Sequence, residues 1–420
     1  MIARDMAADA PMHEAPLSRY VRWALALVVM SMPLYAIRWH IGPLPTTMLE
    51  NVIVITVALY AFAVWRRAVP LPKRTPYEIP IALFLAAGLI GVFVAPDHRG
   101  ALGVFRAYLV EPIAVYYVAT AVIGTADAVA LLLAAWGFGA ALLGIVEIAT
   151  FRQAILSGTL HIGNAAAALD INPNSVAFYL EPLIGLAAGF ALFGRGLHRW
   201  LGLGVLTLLV VAEVTTLSRG GLFALAVLTL IAVLTIRSQL VRLALVAASL
   251  VGVIAVWQSP VVGLRISYFL MTPNRYLLIR VHIWEATLRM LRDHPIFGAG
   301  LNAYQSTMAP YRATSAYPVP EPYPHNIALT AWTEVGILGL VAFMYLLVAL
   351  AVRPWLALKR SSGLYRPLLW GLGAAFVMIF VHGLVDSPYW KNDLSVEFWV
   401  LAALEVVAIR AVNAAPLQHD

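Results

Sequence analysis

The chain has 420 residues, of which 62% are hydrophobic and only 12% are charged. A soluble globular domain carries about 25% charged residues, so this composition excludes that class and indicates a chain that crosses a membrane many times. The net charge of +7 is spread over many short loops, which argues against nucleic-acid binding. Because the chain has no cysteine, disulfide bonds and thiolate metal sites are excluded.

A membrane-spanning helix needs about 20 apolar residues, and this rule predicts twelve spans within a single integral membrane domain, residues 1–420. They lie near 21–38, 46–65, 79–95, 104–123, 127–149, 173–193, 200–217, 221–236, 243–258, 327–350, 367–385 and 394–411. Residues 1–20 contain three acidic side chains and no cleavage site after a compact apolar run, so we interpret them as a cytoplasmic tail. The predicted fold class is an all-α polytopic membrane protein with about 12 transmembrane helices.

The distribution of lysine and arginine predicts the orientation of these spans. With a cytoplasmic N-terminus, 16 of the 28 cationic side chains lie on the inner side, and six of the other 12 lie in one long outer loop. Long loops follow the rule poorly, so the count over short loops favours this orientation even more strongly. Both termini are therefore expected on the cytoplasmic side.

Residues 259–326 form the only large loop, and it is expected on the outer side. Apolar residues at three- and four-residue intervals predict an amphipathic helix from Asn274 to Asp293, which would lie at the membrane interface. The stripe consists of Leu277, Val281, Trp284, Leu288 and Leu291. Asn274 is the expected cap, and Pro295 with two glycines ends the helix.

The stretch after this helix is rich in tyrosine and proline, at Tyr304, Tyr311, Tyr317 and Tyr323 and at five prolines between 310 and 324. Prolines stiffen a loop, so we expect a stiff segment without regular structure. The tyrosine rings suit the faces of sugars, although an aromatic belt at the membrane interface is the somewhat favoured alternative for any single tyrosine.

Arg219 lies between two apolar segments, after Glu213 and directly before Gly220 and Gly221. Backbone amides at a helix start attract anions, and an arginine beside glycines could complete a phosphate clamp. The alternatives are an arginine that reaches toward water and an ion pair with Glu213. Arg280, in the middle of the predicted outer helix, has the pattern of an ordinary solvated charge.

His325 lies between the proline-rich stretch and the span that begins near residue 327. An imidazole with a pKa near neutrality can take a proton from a hydroxyl group. The alternative is a histidine with a capping or interfacial role. Asn326 could orient His325 or cap the following helix, and the cap is favoured.

Other polar residues are interpreted conservatively. Residues 170–174, with the sequence Asp-Ile-Asn-Pro-Asn, are typical of a helix start, so capping is favoured over substrate contact. Asp386 and Lys391 in the last outer loop could form a salt bridge over a site or simply make a turn, and the turn is favoured. Outer carboxylates are sparse and unclustered, so we expect no metal and no cofactor.

Four segments, in this order, resemble those of the O-antigen ligase and O-antigen polymerase superfamily of bacterial membrane glycosyltransferases. They are the Asn-rich segment 172–177, Ser218-Arg219-Gly220-Gly221, Arg280 followed by Trp284 and by residues 294–300, and Pro324-His325-Asn326 followed by residues 334–339. The resemblance covers roughly residues 170–340. Each segment is weakly specific by itself, and the specificity comes from their order and spacing.

The resemblance implies a fold of the GT-C class and an active site at the periplasmic face of the bacterial inner membrane. Such enzymes take a glycan from undecaprenyl diphosphate and join it to an acceptor hydroxyl. By resemblance, Arg219 and Arg280 bind the diphosphate, with Arg265 and Arg275 as further binders. His325 activates the acceptor.

The function expected from this resemblance is that of an O-antigen ligase in lipopolysaccharide biosynthesis, with a lipid A–core sugar as acceptor. The expected reaction is metal-independent and inverts the anomeric centre, since no outer carboxylate is clearly placed as a nucleophile. The alternative is a polymerase of O-antigen or exopolysaccharide repeats that extends a carrier-linked glycan. A lipid-linked glycan transporter is a further alternative, because Glu111, Glu147, Glu181 and Glu213 lie within predicted spans.

Overall fold

The computed structural model describes residues 16–42, 44–160, 167–258 and 273–414. Its α-helices are α1 (Pro16–Met30), α2 (Met48–Trp65), α3 (Glu78–Val94), α4 (His98–Phe105), α5 (Glu111–Val122), α6 (Ala126–Leu156), α7 (Pro173–Phe193), α8 (Gly196–Thr215), α9 (Arg219–Thr235), α10 (Gln239–Gln258), α11 (Pro273–Asp293), α12 (Tyr304–Ala313), α13 (Ile327–Leu358), α14 (Tyr365–Gly383) and α15 (Asn392–Ala414). Shorter elements are the 3-10 turns Met32–Ala36 and Ala168–Asp170, the π-helical turn Arg106–Val110, and strands β1 (Arg38–Ile41) and β2 (Leu44–Thr47).

Within these ranges, seven helical segments are long and apolar enough to cross a membrane. They are Met48–Trp65, His98–Val122, Ala126–Leu156, Pro173–Phe193, Gly196–Thr215, Ile327–Leu358 and Tyr365–Gly383, and three shorter apolar helices are Glu78–Val94, Arg219–Thr235 and Gln239–Ile254. The chain is therefore a multi-pass membrane protein. Each of the twelve predicted spans overlaps a helix, and the crossing of the membrane by all twelve stays a prediction.

The segment between α1 and α2 departs from the all-α prediction. Helix α1 ends at Met30, eight residues before the predicted end of the first span, and an antiparallel hairpin follows in which Arg38 pairs with Thr47. Pro33, near the start of the intervening turn, cannot donate a backbone hydrogen bond and so cannot continue the helix. Helix α2 then begins with a reciprocal capping box between Thr47 and Glu50.

Helices α7 and α14 cross so closely that only glycine fits at their contacts. A Cβ on Gly185 would lie 2.9 Å from the amide nitrogen of Ala375, and one on Gly189 would lie 2.8 Å from that of Gly371. Small residues of this kind let membrane helices pack backbone to backbone. The two helices run in opposite directions, so the start of α7 lies beside the end of α14.

Helix α13 is broken at Gly336, whose φ of 67° lies in the left-handed region. The chain after α11 docks at this break. The Ala299 amide donates to the Thr333 carbonyl at 2.8 Å, and the Ile337 amide donates to the Ile296 carbonyl at 2.9 Å. Two of the segments that carry the family resemblance therefore pack against each other and fix the outer loop to the membrane helices.

The predicted amphipathic helix of the outer loop is confirmed as α11. It begins at Pro273, so the backbone of Asn274 lies inside the helix. Of the predicted apolar stripe, Leu291 is buried within the protein, whereas Leu277 and Leu288 are 57% and 42% exposed, and the place of the stripe at a membrane interface stays a prediction. The buried side chains in the second half of α11 are Ile283, Ala286, Thr287, Met290 and Leu291.

The partner of that buried face is helix α12, where the sequence predicted no regular structure. Tyr304 at its first position is buried, and its hydroxyl lies 2.8 Å from Thr287 Oγ1. Arg289 of α11 donates to the carbonyl of Tyr311 at 3.2 Å. The packing of the two helices outweighs the backbone hydrogen bond that Pro310 removes. Tyr304 is thus a packing residue of the loop and presents no face to a sugar.

Candidate active site

His325 is held in a strained position at the end of the outer loop. Its φ of 52° lies in the left-handed region, which is uncommon for residues with a side chain. On one flank, Trp284 Nε1 of α11 donates to the Pro324 carbonyl at 2.9 Å. On the other, Asn326 Oδ1 accepts two amides of the first turn of α13 at 3.1 and 3.0 Å. This confirms the predicted cap and fixes the backbone on both sides of the imidazole.

Both nitrogens of the His325 ring face carboxylates. Nδ1 lies 2.8 Å from Asp386 Oδ1, and Nε2 lies 3.1 Å from Glu321 Oε2. The ring centroid of Tyr323 is 6.0 Å from that of His325. A protonated imidazole can donate to both carboxylates, whereas the neutral ring donates to one of them. The histidine is therefore oriented along both polar edges, and its side chain is only 14% exposed.

Asp386 joins three distant parts of the chain. Besides His325, its carboxylate accepts a hydrogen bond from Asn174 Nδ2 of α7 at 3.1 Å and one from the amide of Ser387 at 3.0 Å. Arg280 Nη2 of α11 lies 3.6 Å from Asp386 Oδ2. The start of α7, the middle of α11 and the chain after α14 thus meet at one carboxylate.

The sequence left two roles open for the segment before α7, namely capping and contact with the site, and in the structure they belong to two different asparagines. Asn172 Oδ1 accepts the amide of Asn174 at 2.9 Å, so Asn172 is the cap of α7. Asn174 itself directs its side-chain amide to Asp386. The predicted cap is confirmed, and a contact with the site falls to the asparagine two residues later.

Burial and hydrogen bonding act in opposite directions on the pKa values of Asp386, His325 and Glu321. Burial favours the neutral form of Asp386, but the hydrogen bond with His325 and the charges of His325 and Arg280 outweigh it and lower the pKa of the carboxyl to about 2. Burial lowers the pKa of His325, yet its hydrogen bonds to Asp386 and Glu321 raise that pKa above 6.5. Burial also opposes ionisation of Glu321, whose pKa nevertheless falls below 4.5, chiefly through its hydrogen bond with His325. An imidazolium between two carboxylates is the favoured resting state.

Arg219 is the first residue of α9, and its side chain is exposed. The next residue, Gly220, packs so tightly on His382 of α14 that a Cβ would overlap the imidazole ring. The backbone carbonyl of His382 accepts the amide of Asp386 at 3.1 Å. The start of α9 therefore lies against the end of α14, next to the loop that holds Asp386.

Gly221 faces a buried carboxyl group. A Cβ there would overlap Glu213 Oε1 and would lie 3.3 Å from Glu181 Oε1. Glu181 hydrogen-bonds to His382 Nδ1. Neither oxygen of Glu213 has a hydrogen-bond partner among the described residues, so Glu213 does not hydrogen-bond to Arg219. The two glycines after Arg219 allow α9 to approach these buried polar side chains.

Of the four arginines predicted to bind diphosphate, Arg280 lies beside the His325 group and Arg219 lies on the adjacent helix start. Arg265 lies outside the described residues. Arg275 belongs to α11, but its side chain is outside the described set. Diphosphate binding by any of the four stays a prediction.

Two carboxylates of the site were missed from the sequence. Asp386 does more than make the favoured turn, because Asp386 and Glu321 contact the two ring nitrogens of His325. The expectation that no outer carboxylate is placed as a nucleophile stays a prediction. Lys391 does not close a salt bridge to Asp386 and donates to the Tyr35 hydroxyl at 2.7 Å. Glu321 lies only four residues before His325 in the chain, and this short separation is the sequence feature that could have placed Glu321 at the site.

Comparison with known proteins connects this site to a family. Residues 203–344 match the family model described as O-Antigen ligase, a region that includes Arg219, Arg280, Glu321 and His325, whereas Asp386 lies beyond it. Over 136 residues the chain is 27% identical to a Rickettsia conorii protein provisionally named a polysaccharide ligase. That match covers 30% of this chain and 31% of the relative, so the chain spans less than a third of the relative's length. Residues 203–344, about a third of the chain, thus resemble the O-antigen ligase family.

Proposed function

We propose that the protein is an O-antigen ligase of the bacterial inner membrane. In this proposal it transfers a glycan from undecaprenyl diphosphate to a sugar hydroxyl of lipid A–core at the periplasmic face. The observation that carries the proposal is the hydrogen-bonded pair of His325 and Asp386 beside Arg280. The pair supplies a base and the arginine supplies a cation, and glycan transfer from a diphosphate requires both. The match of residues 203–344 to the O-antigen ligase family supports the substrate class.

The proposed step begins when the acceptor hydroxyl replaces Glu321 at Nε2 of His325. His325, neutral and carrying its proton on Nδ1 toward Asp386, takes the hydroxyl proton at Nε2 as the acceptor oxygen attacks C1 of the donor sugar. The new C1–O bond forms while the bond between C1 and the diphosphate oxygen breaks. Undecaprenyl diphosphate leaves with the electron pair, and His325 leaves the step as an imidazolium.

The arginines stabilise the leaving group. Negative charge grows on the diphosphate as the glycosidic bond breaks, and guanidinium groups fixed nearby stabilise that charge. Arg280 comes from α11 and Arg219 from the start of α9, so the diphosphate would lie between the outer loop and the membrane helices. In this mechanism the arginines replace the divalent cation that many diphosphate sites use.

A single displacement of this kind inverts the anomeric centre. A retaining mechanism needs a free carboxylate as nucleophile, and Asp386 is already held by His325, Asn174 and Arg280. Glu321 is the other carboxylate at the ring. We assign it to holding His325 in the resting state, so Glu321→Gln should keep the inverted product.

The proposed topology has twelve spans of a GT-C-type fold, cytoplasmic termini and a periplasmic loop over residues 259–326. In that topology the starts of α7, α9 and α13 and the end of α14 all face the periplasm. These four helix ends carry Asn174, Arg219, His325 and Asp386. The site residues thus gather on the one membrane face where the proposal requires them.

The test of this function is a transfer assay with the purified full chain in detergent. Carrier-linked glycan is incubated with lipid A–core, with and without excess chelator, and the products are separated on a gel. We expect acceptor-dependent transfer that the chelator leaves unchanged and that His325→Ala and Arg219→Ala abolish. A loss of activity in chelator that added metal restores would contradict the metal-independent mechanism.

The same assay distinguishes the alternatives. Longer carrier-linked glycan formed without lipid A–core would establish a polymerase of O-antigen or exopolysaccharide repeats. Movement of lipid-linked glycan across vesicles without any transfer would establish a transporter. Either outcome would replace the ligase as the function of this chain.

The pH dependence of transfer should reveal the carboxylates around His325. A general base works in its neutral form, so kcat/KM should rise with pH through a midpoint above 6.5, the ordinary pKa of histidine. Glu321→Gln removes one source of the raised pKa and should move this midpoint to lower pH. The stability of the folded protein changes with pH in the opposite sense. Protonated His325 contributes fully to folding stability below pH 6.5, and this contribution is lost as the pH rises through the raised pKa of His325. An unchanged midpoint in Glu321→Gln would exclude His325 as the titrating base.

A further inference from the structure

A second group of polar side chains adjoins His325 and has no role in the proposed transfer step. Lys391, directly before α15, donates from Nζ to the Tyr35 hydroxyl at 2.7 Å and lies 4.9 Å from the centroid of that ring. Arg38 begins β1 and pairs with Thr47, which forms the capping box with Glu50, and Glu50 accepts a hydrogen bond from Asn392, the residue after Lys391. The charge of Arg38 acts on Lys391. Tyr323, whose ring neighbours His325, acts on Tyr35 as well. We call Arg38, Lys391, Tyr35 and Tyr323 the Lys391 cluster.

The Lys391 cluster keeps an excess of positive charge. The carboxylates that act on Lys391 are Asp393 and Asp386, and Asp386 is already engaged by His325 and Arg280. Asp393 therefore stands as one carboxylate opposite the two cations of the cluster. Among the described residues, Lys391 takes part in no salt bridge.

The nearest acidic residue of α2 is committed elsewhere. Glu50 accepts hydrogen bonds from Arg106 at 2.8 Å and from Asn392 at 2.7 Å. Because Asn392 directly follows Lys391, this contact fixes the backbone of the cluster while leaving the lysine charge unpaired. The cations are held in place but not neutralised.

The cluster is also open to a ligand. Arg38 is exposed and Lys391 is partly exposed. Partial burial, together with the charge of Arg38, lowers the pKa of Lys391 despite the opposing charge of Asp393. A bound anion would compensate the desolvated ammonium group. Tyr35 is buried beneath Lys391 and holds the lysine in place, whereas the half-buried ring of Tyr323 offers a face suited to a sugar ring.

We propose that the Lys391 cluster is an acceptor subsite that binds a phosphate or carboxylate group carried by a sugar of the acceptor glycan. The proposal rests on the proposed glycan transfer. Lysine supplies a compact charge and arginine a fork that matches phosphate and carboxylate oxygens. The donor arginines belong to α9 and α11, whereas Arg38 and Lys391 belong to the hairpin and the residue before α15, and we assign the cluster to a second anion. Binding there would bring the acceptor hydroxyl to His325.

The test is a binding measurement that needs no transfer. Delipidated lipid A–core oligosaccharide is prepared untreated, phosphatase-treated and carboxyl-reduced, and each form is titrated by calorimetry into the purified full chain in detergent. We expect the untreated form to bind about tenfold more tightly than the form that has lost the recognised anion, as one charge-assisted hydrogen bond provides. The treatment that weakens binding identifies the anion as phosphate or carboxylate.

Matched variants assign the preference to the cluster. Arg38→Gln and Lys391→Gln should each abolish the tighter binding of the untreated oligosaccharide. Each substitution removes a charge while keeping a polar side chain. Arg152→Gln, at an exposed arginine near the end of α6, should keep it. Equal binding of all three oligosaccharides by the unaltered protein, or a preference that survives both cluster variants, would overturn the proposal.

Transfer kinetics separate the subsite from the donor site. In Arg38→Gln and Lys391→Gln the KM for the acceptor should rise about tenfold, with the KM for the donor and kcat unchanged. A rise in the donor KM instead would assign the cluster to the diphosphate and refute an acceptor subsite. If the protein binds the anionic glycan selectively but transfers nothing, the proposed function fails and the subsite stands.

Discussion

Asp386→Asn should lower kcat for glycan transfer by about a thousandfold at neutral pH, the typical contribution of general base catalysis. An asparagine amide can donate to Nδ1 of His325, which would leave the imidazole proton on Nε2, the nitrogen that must accept the proton of the acceptor hydroxyl. The substitution preserves size and the contact with Asn174. The loss should therefore appear in the chemical step, while Arg280, freed from Asp386, still meets the diphosphate.

The measurement combines single-turnover transfer with thermal unfolding in detergent. The matched control is Asp97→Asn, which alters another aspartate predicted on the outer side that accepts a backbone hydrogen bond from Gly100 at 3.0 Å. We expect this control to keep kcat within about twofold, since surface substitutions away from special features have small effects. If Asp386→Asn loses less than about tenfold, His325 does not depend on Asp386 for its orientation.

Local patterns were sufficient to find one half of the site. His325 and Asn326 stand at the boundary between a proline-rich stretch and an apolar run, and the family resemblance singled out Arg280. Asp386 is 61 residues from His325 in the chain and sits in a segment whose composition is typical of a turn. The packing of α13 against α14 brings Asp386 to the imidazole, since Thr330 Oγ1 in the first turn of α13 lies 2.6 Å from Ser387 Oγ after α14. Periodicity along the chain does not report which side chains of the two segments meet.

The outer loop shows the same limit in another form. The helical period of α11 was recognisable, but the element against which the helix packs within the protein was not. The side of α11 that is buried depends on α12. That helix was not predicted, because Pro310 and the nearby tyrosines are typical of a stiff coil. Leu288 is exposed as a result, and Thr287, a polar residue, is buried against Tyr304. Periodicity predicts that a helix exists, whereas the neighbouring element decides which side it buries.

The glycines after Arg219 have a packing role that the sequence analysis did not predict. The sequence suggested that they let a phosphate approach the start of α9. In the structure, Gly220 and Gly221 let α9 approach His382 and Glu213, two buried polar side chains of neighbouring helices. The position of Arg219 therefore depends on the packing of these glycines against neighbouring helices.

Gly221→Ala should destabilise the protein by about 3 kcal/mol, the upper range for overpacking a buried site, and should lower transfer by displacing Arg219. The added Cβ would overlap Glu213 Oε1, and Glu213 is completely buried with Glu181 next to the same position. Tight packing leaves the carboxyl group little room to move aside. The quantity to measure is the free energy of unfolding from denaturant titration in detergent, alongside kcat.

Gly204→Ala is the matched control, since Gly204 also lies in a membrane helix and a Cβ there would meet no atom within 4 Å. It should be neutral or stabilise by up to about 1 kcal/mol, because alanine favours the helix over glycine. Glu213→Ala in the Gly221→Ala background should restore most of the lost stability, as it removes the overlapping oxygen and gives up no hydrogen bond to a described residue. Recovery of transfer together with stability would show that Glu213 and Gly221 determine where α9 starts, and hence where Arg219 meets the diphosphate. If Gly221→Ala is as stable as Gly204→Ala, the packing of Gly221 against Glu213 does not fix the start of α9.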